Sequence, residues 1–341
     1  VIPSPSCYDN KSMQFWGRRL FLENTRDSAA ISETKYIKAS NQVTIYDFIK
    51  LAKPGIIISN SIAAFGGFWI AFASAEKTLT GMAFLMTMVT AMLGTAFVMA
   101  SGTVYNNYFD RHMDAKMVRT RSRASVTGKM PPAMILTYGS VLGITGLAML
   151  YSLNPLTAFL GLAAFIFYAI IYTVWVKRTS VWSTFVGSFP GAAPPLMGYC
   201  AVTGDFSMTA VLLYTIMFLW QPPHFWAIGI RRKEEYRAAG VPLLPVVKGN
   251  HVTKIKMMQY IAVLVPVTLL FPFSLGTGHI SPFYFLAALV LGGIWIKKSI
   301  KGFKTDDDVK WAKDMFVYSL IYFCLLFFIM MIDSFMMFLI R

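Results

Sequence analysis

Two stretches of this 341-residue chain hold the side chains best able to do chemistry. In the first, Asn106-Asn107-Tyr108-Phe109-Asp110-Arg111-His112-Met113-Asp114, three oxygen-bearing residues, Asn106, Asp110 and Asp114, recur every four positions. On a helix that spacing keeps them on one face with a slow drift. Two carboxylates and an amide oxygen suit Mg²⁺, which takes hard oxygen ligands and completes its shell from substrate phosphates. The run Arg119-Thr120-Arg121-Ser122-Arg123 follows at once. Arg119 and Arg123 fall on one helical face or turn and suit a forked grip on phosphate oxygens. Carboxylates beside arginines are what a metal-bound diphosphate requires. The plainer alternative pairs both aspartates with Arg111, Lys116 or Arg119 at the water interface.

The second stretch is Gln221-Pro222-Pro223-His224-Phe225-Trp226, continuing to Arg231-Arg232-Lys233-Glu234-Glu235-Tyr236-Arg237. A continuous helix would put His224, Arg231 and Glu235 on one stripe. His224 is a candidate ligand for haem iron, a proton carrier or a phosphate contact, against the plainer role of bonding a carbonyl near a helix end. A third element, Lys177-Arg178, precedes Ser183-Thr184 and the Gly187–Pro195 stretch, placed either to reach a diphosphate or simply to set topology. Cys7, Cys200 and Cys324 are scattered, without metal spacing or a disulfide framework.

The elements that must position these groups are membrane helices. The composition is 56% hydrophobic and 15% aromatic, concentrated in long runs. A bilayer core of about 30 Å takes roughly 20 helical residues to cross. Nine stretches of that order occur, near 56–74, 81–104, 133–152, 156–175, 184–203, 208–229, 258–276, 282–296 and 315–339. Lipid offers no water to an open backbone, so each is expected to be helical. Basic residues crowd the loops after the second, fourth, sixth and eighth stretches, and Lys77 alone marks the others. By the positive-inside rule those loops and the N-terminus are cytoplasmic and Arg341 lies outside.

The net charge of +15 thus gathers on one face, suiting anionic headgroups and a polyanionic substrate. Nothing resembles a nucleic-acid module. Residues 1–47 form a polar extension, and 48–341 one helical domain. Asp9, Glu23, Asp27 and Glu33 give the leader more acid than a mitochondrial transit peptide carries, which favours a bacterial plasma membrane. Gly66-Gly67, Pro190-Gly191 and Pro194-Pro195 mark close helix approach or breaks lining a cavity. Long charged loops at 105–130 and 224–256 give a faint echo of two similar halves. Aromatic side chains are abundant enough that a few facing a cavity would steady a cation.

Three blocks in order, NNYFDRHMDAKMVRTRSR at 106–123, VKRTSVWSTFVGSFPGAAPPLMGY at 176–199 and WQPPHFWAIGIRRKEEYRAAGVPLLPVVKG at 220–249, resemble the UbiA-type intramembrane prenyltransferases, in their haem O synthase (protohaem IX farnesyltransferase) branch. The resemblance runs from about Phe48 through the last apolar stretch. It implies an all-α bundle of nine transmembrane helices around a central cavity, open to the cytoplasmic side and to lipid. It implies farnesyl diphosphate and haem B as substrates, haem O and diphosphate as products, and Mg²⁺ as cofactor. A haem A synthase is a candidate downstream partner. On this resemblance Asn106, Asp110 and Asp114 match the first aspartate motif, Arg119 and Arg123 its basic pair, and Lys177, Arg178, His224, Arg231 and Glu235 the other polar positions. The quinone-forming relatives carry a second DxxxD motif, where this chain has Glu234 and Glu235 beside Arg231 and Arg232, so a second metal site is not expected from it. An aromatic prenyltransferase of quinone synthesis is the rival enzyme, and a transporter or haem carrier the rival of another class.

Overall fold

A computed structural model of the chain describes residues 42–74, 79–276 and 279–340. Most of the 1–47 extension, with Cys7, Lys77 and Arg341, lies outside the described residues. One compact unit spans Tyr46–Arg341. Among the described residues there is no strand. A short helix α1 (Ile45–Leu51) leads into α2 (Pro54–Ser74), α3 (Gly81–Asp114), α4 (Pro132–Leu153) and α5, whose segments are Pro155–Ile166, Phe167–Val176 and Lys177–Thr179. Then come α6 (Ser183–Gly191), α7 (Ala193–Thr203), α8 (Met208–Arg231), α9 (Lys233–Ala238), α10 (Leu244–Val247), α11 (Gly249–Ser274), α12 (Pro282–Lys301) and α13 (Asp308–Ile340).

Helix starts follow local chemistry. Asn154 caps α5 by accepting from the Thr157 amide at 2.8 Å, with Pro155 at the first position. Ser207 and Ser281 cap α8 and α12 in the same way. Among the described residues, seven helices are long and apolar enough to cross a membrane. The two remaining apolar stretches differ from the expected form. The 184–203 stretch is two helices, α6 and α7, broken at Ala192 between Pro190 and Pro194-Pro195. The carbonyls around the break stay satisfied, because Gln221 donates to Ser188 O at 3.2 Å and the Tyr214 hydroxyl to Phe189 O at 3.1 Å, both from α8. The 208–229 stretch is one helix, α8, that carries Pro222 and Pro223 inside it, and its polar Gln221–His224 segment dilutes its apolar character.

Small residues bring the backbones together. A Cβ on Gly67 would stand 1.9 Å from Pro195 O, and one on Gly198 1.9 Å from Ala64 O, so α2 and α7 touch main chain to main chain. Consecutive helices pack in turn, and α13 returns to α2, closing the bundle. The largest core, with Trp295, Tyr322 and Phe327 fully buried, lies among α2, α7, α8 and α11 to α13.

At 34 residues α3 is roughly 50 Å long, well beyond a bilayer's hydrocarbon of about 30 Å, and Asn106 to Asp114 form its last turns. The two long loops meet at this end. Met113 and Met117 pack on Tyr236, Ala239, Val241 and Leu243 in a small apolar cluster.

Candidate functional site

Helix α3 continues through the acidic motif, so Asn106, Asp110 and Asp114 do share a face, and all three are buried. The middle of α5 turns them inward partners. Phe167–Val176 is a π-helix, with the Thr173 hydroxyl donating to Tyr168 O at 2.7 Å, and wide helical turns of this kind recur at functional sites. It aims Thr173 and Lys177 at α3. Lys177 Nζ donates to Asp110 Oδ2 at 2.5 Å, Asn106 Nδ2 donates to Asp110 Oδ2 at 2.8 Å and to Thr173 Oγ1 at 3.0 Å, and Arg178 Nη2 lies 3.6 Å from Asp110 Oδ1. Arg178 is further fixed by donating to Phe109 O at 2.7 Å.

The arginine run is not helical. It is a series of turns in which Arg123 folds inward and Arg119 does not. Arg123 Nη1 donates to Asp114 Oδ2 at 2.5 Å and to Asn107 Oδ1 at 2.9 Å. Arg119 is exposed and makes no ion pair among the described residues. The expectation of a matched pair therefore divides. The alternative pairing of the aspartates with Arg111, Lys116 or Arg119 is not what forms either. Arg111 donates to Tyr108 O at 2.9 Å and covers the Tyr108 ring.

Sequence spacing missed Lys53, between α1 and α2. Its Nζ donates to Asn106 Oδ1 at 2.5 Å. Burial, with Arg123 and Lys177 adding to it, pulls the ammonium down to about 7 against the opposing pull of Asp110 and Asp114. Thr173, Asn107 and Ser319 were also missed. A lysine beside a proline at the mouth of an apolar run was the available signal for Lys53.

No ligand accompanies the chain, so the fit of a metal rests on the residues. Among the described residues no three His, Cys, Asp or Glu side chains cluster. The two carboxylates with Asn106 match instead what Mg²⁺ needs beside substrate phosphates. Asp110 Oδ1 is buried with no hydrogen-bond partner, with Arg178 Nη2 facing it at 3.6 Å. That donor set fits a divalent ion.

The second constellation is differently built. His224 is buried, its ring stacked 4.7 Å from Trp220 and tilted against Phe316 of α13 at 4.9 Å. Its Nδ1 lies 2.7 Å from Ser319 Oγ, whose own hydrogen goes to Phe316 O at 2.6 Å. Ser319 therefore accepts and Nδ1 carries the hydrogen, which in the neutral ring leaves the lone pair on Nε2. The expected stripe breaks, because α8 ends at Arg231 and Glu235 belongs to α9, where it pairs with Arg232 at 2.8 Å. Arg231 and Glu235 meet again in a cleft of about 440 Å³, also lined by Arg232, Lys233 and Asn250. Arg231 lies 5.5 Å from the Phe316 ring, on the residue that packs against His224.

Comparison with known proteins agrees with this arrangement. The UbiA prenyltransferase family model matches residues 61–321. "Protoheme IX farnesyltransferase 1" of Bacillus subtilis is 98% identical over 94% of this chain and 100% of its own length. The protein of that name in Bacillus velezensis is 63% identical over 90% of this chain and 97% of its own. A solved structure of digeranylgeranylglyceryl phosphate synthase superposes with a TM-score of 0.69 at 17% identity, covering 85% of this chain and 98% of that one. A UbiA homolog from Archaeoglobus fulgidus bound to DMAPP and Mg²⁺ superposes at 0.62 and 16% identity, covering 86% and 100%. The family match over most of the chain, together with relatives this similar along nearly their whole length, makes this chain a member of the UbiA prenyltransferase family, in its protoheme IX farnesyltransferase branch.

Proposed function

We propose that this chain transfers the farnesyl group of farnesyl diphosphate to a vinyl group of haem B, with addition of water, giving haem O and diphosphate. The observation that carries the reading is Asp110, buried at the end of α3 with one oxygen held by Lys177 and the other without a hydrogen bond. Asn106, Asp110 and Asp114 would hold Mg²⁺, which would supply positive charge to neutralise the diphosphate. Lys177, Arg178 and Arg123 already lie on those carboxylates, within reach of phosphate oxygens bound there, and Arg119 adds an exposed charge on the turns after α3. Together they stabilise the charge that grows on the leaving group as the C–O bond ionises. Tyr168 and Tyr172, stacked 5.7 Å apart beside Lys177, offer ring faces to the allylic cation. The apolar surroundings keep water away until the carbon–carbon bond has formed.

Haem would be the ligand of the second constellation. Arg231 suits a propionate at the cleft it shares with Glu235, and the Nε2 lone pair of His224 serves iron ligation or orientation of the attacking water. The chain crosses the membrane nine times around a central cavity, with α6–α7 as the broken fifth crossing and α8 as the sixth. Its N-terminus and charged end face the cytoplasm of a bacterial plasma membrane. Residues 48–341 form the catalytic domain, 1–47 an extension, and a haem A synthase receives the product.

The test supplies purified chain with Mg²⁺, farnesyl diphosphate and either haem B or 4-hydroxybenzoate, and follows diphosphate release and product mass. A farnesyl increment with water on haem B is expected. An increment on the phenolic acid alone would move the chain to quinone synthesis, and no diphosphate release would leave a carrier.

A further inference from the structure

Lys53 combines three features that the aspartate motif does not explain. With φ of 55°, it is the one non-glycine residue of positive φ among the described residues. Glycine would adopt that conformation without strain, and Pro54 further narrows what its predecessor can do. A lysine held there points to a requirement for its side chain. The hinge before it is also clamped. Asn107 Nδ2 donates to Leu51 O at 2.6 Å and Thr103 Oγ1 to Ala52 O at 2.7 Å, both from the stretch of α3 that bears Asn106. Finally, the Asn106 amide hydrogens go to Asp110 and Thr173, so its oxygen is the atom turned to Lys53, at 2.5 Å.

That oxygen has two lone pairs, but an ammonium and a divalent ion held on it side by side would repel each other. Lys53 has a flexible four-carbon stem and three donors, and no side-chain carboxylate anchors it directly among the hydrogen bonds and ion pairs of the described residues. We propose that Lys53 is a further binding residue of the diphosphate site: it neutralises the Asn106–Asp110–Asp114 cluster in the substrate-free protein and moves to an oxygen of the prenyl diphosphate as the metal-loaded substrate enters. The inference rests on the diphosphate reading of that cluster given above.

The experiment uses the full chain in lipid nanodiscs with two probes: Mn²⁺ alone, followed by the paramagnetic resonance signal of the free ion, and inorganic pyrophosphate with Mg²⁺, followed calorimetrically. In Lys53→Met, pyrophosphate should bind about tenfold more weakly, while Mn²⁺ alone binds at least as tightly as before because its competitor is gone. Lys53→Arg should bring pyrophosphate binding back to within a few fold. Unchanged pyrophosphate binding in Lys53→Met would overturn the inference. So would a parallel loss of both probes that Lys53→Arg does not repair, since that marks a hinge residue with no ligand contact. Asp110→Asn separates the two levels. It should lose both probes, and if it keeps them the cluster itself is not the diphosphate site and the inference falls with it.

Discussion

The Asp110 cluster in the last turns of α3 and the buried surroundings of His224 within α8 are built on opposite principles. Around Asp110 both carboxylates touch counter-ions, and Lys53 reaches the cluster through the Asn106 amide oxygen. Lys177, Arg178 and Arg123 are shared between two carboxylates, and Asn106 links Asp110 to Thr173 and Lys53. Around His224 the partners are two aromatic faces and a serine hydroxyl, and the nearby Arg231 lies against a ring. Buried charges of this kind are held only when paired, so the first region is primed to exchange one set of ions for another. The second has little charge to exchange. The contrast matches the proposed division of labour, in which α3 and α5 would serve ionisation of the diphosphate and α8 and α13 placement of the acceptor. The apolar cluster of Met117, Val241 and Leu243 ties the two loops together.

The sharpest way to break this division is Asp110→Asn. An amide keeps the shape and can still accept from Lys177, but it cannot offer an anionic oxygen to a metal. Turnover should fall by more than about a thousandfold, the scale expected when electrostatic stabilisation of a leaving group is lost. Haem binding, read from the Soret shift, should be unchanged. Haem binding that collapses together with turnover would show that the two regions are one site.

Arg123→Lys comes next. Arg123 reaches both Asp114 and Asn107 from one guanidinium nitrogen, a geometry that a lysine cannot hold as rigidly. The expected loss is about 10- to 100-fold in kcat/KM for farnesyl diphosphate, with haem affinity retained. A loss in haem affinity instead would move Arg123 to the other half of the division.

Much of this was legible in the chain. The four-residue spacing of Asn106, Asp110 and Asp114 survives because α3 runs unbroken past the apolar stretch to Asp114. Lys177 and Arg178 were visible as a basic pair after the fourth stretch, but not that a π-helix rotates them onto Asp110, since its longer repeat leaves no mark in a pattern read at 3.6 residues per turn. The His224, Arg231 and Glu235 stripe failed for a local reason: Arg232 leaves helical geometry at φ −117°, and no glycine or proline announces it. Lys53 was hidden because its contact is 53 residues away in sequence. The broken fifth stretch was signalled by its prolines, while the partners that satisfy its carbonyls come from α8 and had no sequence signature.

His224→Phe sharpens the comparison from the other side. Phenylalanine fills the slot between Trp220 and Phe316 but removes the Nε2 lone pair. Haem affinity or the spectral signature of bound haem should weaken by about tenfold, the scale of one lost contact worth 1.4 kcal/mol, while pyrophosphate binding stays within twofold. Equal damage to both would mean that the ring supports the fold, since Ser319 would also lose its partner.

The smallest effect is expected at Arg119. It is exposed and makes no ion pair among the described residues, so Arg119→Lys keeps the charge and surrenders only the planar fork. An exposed charge acts mostly on encounter, is screened by salt, and tolerates such a swap. The KM for farnesyl diphosphate should rise about two- to threefold at low ionic strength, with kcat unchanged, and the difference should vanish as salt is added. A fall in kcat that persists at high salt would place Arg119 on the leaving group in the closed, substrate-loaded state. The Arg119-Arg123 pair expected from their spacing would then form only around the substrate, and the exposed position of Arg119 would belong to the open state alone.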